Sequence, residues 1–373
     1  MAVGLAAWYG HVMVSDAETN PRTSAWLANA PIDLAMAFGW LPFYAWFLTT
    51  PVIGNVADAA FLPALKLAAV VALSINFVHR HFVYFLFFGD EQQRALHPRA
   101  LWMAPLIVIA LALPTRLWWP SGFNVVFGAL VAWNIWHTLM QRNGIARAYA
   151  VKAGGGLEAR AHGRHDLHTL WALAVCTAAY AIMFQQDTFY GRTRPVLLRI
   201  HAVVAQEHSE IGWAVLVVAG LFAAATMRAW VRAEAQARPH VGRAPRLVFW
   251  ASSLALLGIF VVHGPVVGYL VFGFAHSIEY MLFVYLFSHR RIARGETAAS
   301  VRTFGSAVPL VTVSAILLAL FVAARHVWTV PLFVVYYTVT SALHYFYDGL
   351  IWKMRRPEVR APIVAYSLNR SSV

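Results

Sequence analysis

Four apolar stretches of this chain carry histidine, and two of them add a carboxylate at helical spacing. They read Asn76-Phe-Val-His79-Arg80-His81, Asn134-Ile-Trp-His137, His276-Ser-Ile-Glu279 and His344-Tyr-Phe-Tyr-Asp348. An ionisable group in hydrocarbon is costly unless it is paired, hydrated or bound to metal. His276 and Glu279 stand three apart and His344 and Asp348 four apart, so each pair shares a helix face. Helix bundles build metal sites in this way, from ligands that project inward off facing helices. Imidazole plus carboxylate with open positions suits non-haem iron, and zinc or manganese less distinctively. For a single pair the bland alternative is a polar contact between packed helices. Four segments together point to a metal or haem site.

The remaining polar groups sort around that set. Asn134 and Gln141 flank His137 by one turn each, so one face of that helix is polar and an amide could orient the ring of a metal-bound imidazole. Gln141 and Arg142 could equally begin the aqueous interface. His79 and His81 point about 200° apart on a regular helix. His79 shares its face with Asn76 and is the preferred ligand, with His81 a further candidate. Arg80 between them could snorkel or neutralise an anionic substrate or haem propionate. Glu279 and Asp348 could ligate metal or accept protons. The run His162-Gly-Arg-His165-Asp-Leu-His168 has metal-like spacing, but in a Gly-rich loop it reads as solvated. His201, His208 and His263 read as ordinary interface residues, and Asp33 as a buried carboxylate or a helix cap.

The elements that must position these residues are membrane spans. Of 373 residues, 60% are hydrophobic and 12% charged, well above the roughly 45–50% apolar content of soluble domains. Apolar runs of about 20 residues read as transmembrane helices. The fold class is therefore all-α, a single polytopic domain of about ten spans, near 31–50, 61–88, 101–119, 122–142, 168–185, 211–228, 246–262, 265–288, 304–323 and 329–352. Transmembrane β-strands would alternate in short segments, and none do. Arginine and lysine gather in 89–100, 141–167, 228–246, 289–303 and the tail from Lys353. The positive-inside rule then makes these segments and both termini cytoplasmic, as in a bacterial inner-membrane protein. The net charge of +13 is explained by that asymmetry, so no nucleic-acid partner is expected. The single cysteine, Cys176, excludes an internal disulfide and any Cys-ligated zinc or iron–sulfur site. Met1 to Val14 lacks the basic start of a cleaved signal peptide. In this topology the spans bearing His79, His137, His276 and His344 all run outward to inward, and their histidines fall in roughly the inner half of the bilayer.

The segment His79-Arg80-His81-Phe82, with histidines spread over several spans, resembles the membrane-embedded carotene-cleaving dioxygenases of the Brp/Blh family. That likeness implies a polytopic protein with histidine-ligated iron within the bilayer. The Pro-His-Gly motif of that family does not appear in this chain. His79-Arg80 is likewise similar to the His-Arg pairs of haem A synthase, while the adjacent His-His boxes of membrane desaturases and alkane hydroxylases are missing. The expectation is a metal-dependent membrane oxidoreductase, most plainly a non-haem iron oxygenase or hydroxylase. Its substrate would be a lipophilic molecule arriving from membrane lipid, with a cytoplasmic electron donor where one is needed. The rivals are a haem protein with axial histidines and a proton- or metal-coupled transporter.

Overall fold

Leu, Ala, Val and Phe runs with few interior prolines dictate helix, and helix is what forms. The computed structural model describes residues 26–51, 61–152, 157–189, 194–236, 243–296, 298–327, 330–353 and 356–364. In chain order the α-helices are α1 (Ala30–Phe38), α2 (Leu41–Leu48), α3 (Phe61–Gly89), α4 (Glu91–Leu96), α5 (Pro98–Trp118), α6 (Pro120–Lys152) and α7 (Leu157–Phe184). They continue as α8 (Arg194–His201), α9 (Ser209–Gln236), α10 (Arg243–Ile292), α11 (Ala299–Phe304), α12 (Ala307–Val327), α13 (Val330–Ile351) and α14 (Pro357–Val364). A 3₁₀ turn, Gln186–Thr188, and a π segment, Ala202–Glu207, precede α8 and α9 respectively. No strand occurs among the described residues.

Seven described helices are long and apolar enough to cross a membrane: those at Phe61–Gly89, Pro98–Trp118, Ser121–Ala150, Gly163–Phe184, Ser209–Gln236, Arg243–Ile292 and Ala307–Val327. This is the pattern of an integral membrane protein. The expected span 31–50 is instead broken into α1 and α2, of 9 and 8 residues. The break falls at Gly39 and Trp40, and Pro42 opens α2, where its missing N–H costs nothing. The spans expected at 246–262 and 265–288 join in the 50-residue α10, interrupted at Gly264 with φ of 82°.

The segment 141–167, expected between spans, is largely helical. α6 continues to Lys152 and α7 begins at Leu157, where Leu-Glu-Ala-Arg-Ala supplies strong helix formers. Of the segment 141–167, residues 153–156 lie outside the described residues, as does Met1 to Val14.

The chain, read from sequence as one domain, divides into two compact units. The first comprises the described parts of Met1–Met36, Ser74–His137 and Ser277–Val373. Within it α13 packs on α5 and α12, and Phe87 stacks on Tyr347 with ring centroids 4.3 Å apart. Arg291 Nη1 donates to Asp90 Oδ2 at 2.7 Å, and Asp90 caps α4 by accepting from the Gln92 N–H at 2.9 Å. Asp33 accepts from the Leu27 and Ala28 N–H groups at 2.6 and 3.0 Å, so its carboxylate fastens the segment leading into α1.

The second unit comprises the described parts of Ala37–Leu73 and Thr138–His276. Its core holds Trp40, Phe43, Phe47, Leu256, Val271 and Phe272, and α9 packs along α7. Arg142 is buried. It donates from Nε to Ser253 Oγ at 2.9 Å and from Nη2 to Ser252 Oγ at 3.0 Å. Asp166, in the middle of the histidine run on α7, is buried too. It accepts from Arg246 at 2.6 Å and from the Trp230 indole at 2.8 Å. Arg246 also pairs with Glu234. His165 is half-buried and His168 exposed, so among the described side chains of that run the buried charged group is the aspartate.

Candidate metal centre

The site is assembled in the first unit from α3, α6, α13 and the last third of α10. On α13, His344 and Asp348 lie one turn apart on a face shared with Trp352, just past the helix end. Both His344 and Asp348 are buried, as is His137 on α6. Asp348 Oδ2 lies 3.4 Å from His137 Nε2 and 3.5 Å from His344 Nε2. Those separations exceed the 2.7–3.2 Å of a good N–H···O hydrogen bond. Two ligand atoms each about 2.1 Å from a tetrahedral ion stand about 3.4 Å apart. The three atoms form one of the groups able to hold a metal ion.

His79, on α3, sets its ring edge-on to that of His344, with centroids 4.8 Å apart. The rings of His137 and His344 lie 5.1 Å apart, so two imidazoles from two helices face one carboxylate and a third, His79, abuts the His344 ring. Tyr280 on α10 packs edge-on to both His79 and His344, each at 5.4 Å. Its hydroxyl donates to Asp348 Oδ1 at 2.8 Å. The Trp352 indole N–H donates to the same oxygen at 3.1 Å.

Other predicted residues fall elsewhere. His81 engages both ring nitrogens: Nδ1–H donates to the Phe77 carbonyl at 2.6 Å and Nε2 accepts from the Tyr336 hydroxyl at 2.7 Å. It therefore braces α3 against α13 and has no nitrogen left for metal. Arg80 is buried, its guanidinium taken up by its own helix and α13. Its Nη1 donates to the Tyr337 carbonyl at 2.9 Å and to Thr340 Oγ1 at 3.0 Å, and its Nη2 to Asn76 Oδ1. The guanidinium lies 3.6 Å over the Tyr337 ring, so a buried cation is satisfied by neutral acceptors and a π face.

Glu279 is fully buried on α10, three residues after the buried His276. Within the second unit Gln141 donates to the His276 carbonyl at 3.2 Å, a brace on the helix backbone. Asn134 is buried one turn before His137. His263 hydrogen-bonds the Tyr44 hydroxyl at 2.8 Å and His201 bonds the Ile182 carbonyl at 2.7 Å.

Sequence reasoning missed Tyr280 and Trp352. The signal was present as register: Tyr280 follows His276 by one turn, and Trp352 follows Asp348 by one turn. It was hidden among the aromatics, which make up 14% of the chain. No protein-family model, no curated protein and no solved structure matches this chain, so the geometry of the buried histidines and Asp348 carries the functional argument.

Proposed function

We propose that this chain is a membrane-embedded metalloenzyme, a non-haem iron oxidoreductase of the oxygenase or hydroxylase type. The observation that carries the reading is the pair of 3.4 and 3.5 Å separations from Asp348 Oδ2 to the Nε2 atoms of His137 and His344. They are too long for hydrogen bonds and fit the edges of a coordination polyhedron. His137, His344 and Asp348 would hold the ion, with His79 beside the His344 ring and the buried Glu279 as further candidate ligands. An anionic ligand among imidazoles offsets part of a divalent charge in low dielectric. A ferrous ion held there would bind and reduce dioxygen, with the protein supplying geometry and a dry pocket.

From sequence, Glu279 and Asp348 could each ligate metal or accept protons, with Glu279 the preferred ligand. The distances favour Asp348 as the ligand. The substrate is a lipophilic molecule entering from membrane lipid, and any electron donor docks on the cytoplasmic face. Ten spans, cytoplasmic termini and a bacterial inner-membrane location complete the proposal. Haem fits this set less well. Asp348 Oδ2 lies against two of the imidazoles, and a carboxylate is not among the usual protein ligands of haem iron.

The test is elemental analysis and an absorption spectrum of the protein purified in detergent. Iron near one ion or two per chain without a haem band supports the proposal. A preparation that holds no transition metal after reconstitution with ferrous iron sinks it, and a haem spectrum replaces it with the haem reading.

A further inference from the structure

Asp348 has one oxygen turned toward the imidazoles and the other held from behind. Its Oδ1 accepts from Tyr280 at 2.8 Å and from Trp352 at 3.1 Å. Its Oδ2 faces His137 and His344. The two donors come from different elements. Tyr280 shares one face of α10 with Phe283 and Phe287, and those two rings pack edge-on against Trp352 at 5.3 and 5.1 Å. Trp352 shares the face of α13 that carries His344 and Asp348. The indole N–H also lies 3.4 Å from the Tyr280 oxygen, so phenol, indole and carboxylate form a closed triangle.

We propose that Tyr280 and Trp352 are positioning residues that hold Asp348 as a single-oxygen metal ligand; this rests on the metal-site reading above. A carboxylate with both oxygens free can bind an ion through one or both, or turn away. Two donors on Oδ1 remove those options and leave Oδ2 alone to coordinate. Partners of this kind tune affinity without touching the ion. Tyr280 does more than donate, because its ring also abuts His79 and His344 and so limits the tilt of two imidazoles.

Cobalt(II) binding by the full-length protein in detergent tests this, since the visible spectrum of cobalt reports ligand number. Tyr280→Phe and Trp352→Phe each delete a donor and keep a ring. Each variant is expected to bind cobalt about 10-fold more weakly than wild type, and the double variant about 100-fold, with an altered visible band as Asp348 gains its second oxygen. Trp352→His, which restores a ring N–H, recovers part of the loss. Wild-type affinity and spectrum in both single variants, alongside loss in Asp348→Asn, would overturn the positioning role and leave the metal site standing. No cobalt uptake by wild type itself removes both. Should Tyr280→Phe fail to fold, Trp352→Phe decides, because the half-buried Trp352 lies beyond the end of α13.

Discussion

Two histidines two positions apart on one helix meet opposite fates, and the difference lies in what each ring nitrogen finds. His81 has a carbonyl and a phenol within hydrogen-bond reach, whereas His79 abuts the ring of another histidine. His81→Gln is therefore expected to retain full metal content and to lower stability by about 1–3 kcal/mol for the lost buried bonds, read by elemental analysis and denaturation in detergent. His344→Ala should abolish bound metal, and Asp348→Asn should weaken binding about 10–100-fold or more. Metal content unchanged in both would return the cluster to helix packing. The face shared by His344 and Asp348 was legible from their spacing. The division of labour between Glu279 and Asp348 was not, because helical spacing within one element says nothing about which carboxylate meets a third helix.

Helix boundaries show where local chemistry outweighs the apolar run. At 1.5 Å per residue, the 50 residues of α10 would extend about 75 Å, more than twice a hydrocarbon core of about 30 Å. Gly264 and Pro265 divide it, as their sequence suggested. A side chain at Gly264 would need φ of 82° and would collide with Thr188. Gly264→Ala is accordingly expected to destabilise by roughly 1–3 kcal/mol. Gly258→Ala, where a Cβ meets open space on the same helix, should be neutral or stabilising by about 0.5–1 kcal/mol. Equal unfolding midpoints for the two would refute a strained hinge. Between α4 and α5, burial and the neighbouring Arg356 and Lys353 hold the His97 imidazole below its ordinary pKa. Its neutral form accepts from Arg356 at 3.3 Å. The unfolded chain then takes up a proton more readily than the folded one, so this contribution is present above about pH 6.5 and fades as pH falls. His97→Gln should flatten the acid limb of a stability–pH profile, and an unchanged limb would exclude the linkage.

At the scale of the whole molecule, arginine placement carries the orientation. Cysteine at the exposed position Arg302 should label only from the cytoplasm, and cysteine at the exposed position His326 only from outside; labelling in the reverse sense would invert the topology. The same arginines also do something their count could not reveal. Arg246 and Arg142 are buried, and composition cannot tell a solvated loop arginine from one inside an ion pair. Arg246→Met should cost about 3–5 kcal/mol by stranding Asp166. The pairing also sets a clock on biosynthesis. Asp166 precedes Arg246 by 80 residues. At roughly 5–20 residues per second of synthesis, the aspartate waits about 4–16 s for its counter-ion. A nascent chain stalled before Arg246 therefore holds Asp166 without its guanidinium partner. Chains truncated ahead of Arg246 should turn over faster than chains truncated after α10, and Asp166→Asn should narrow that gap.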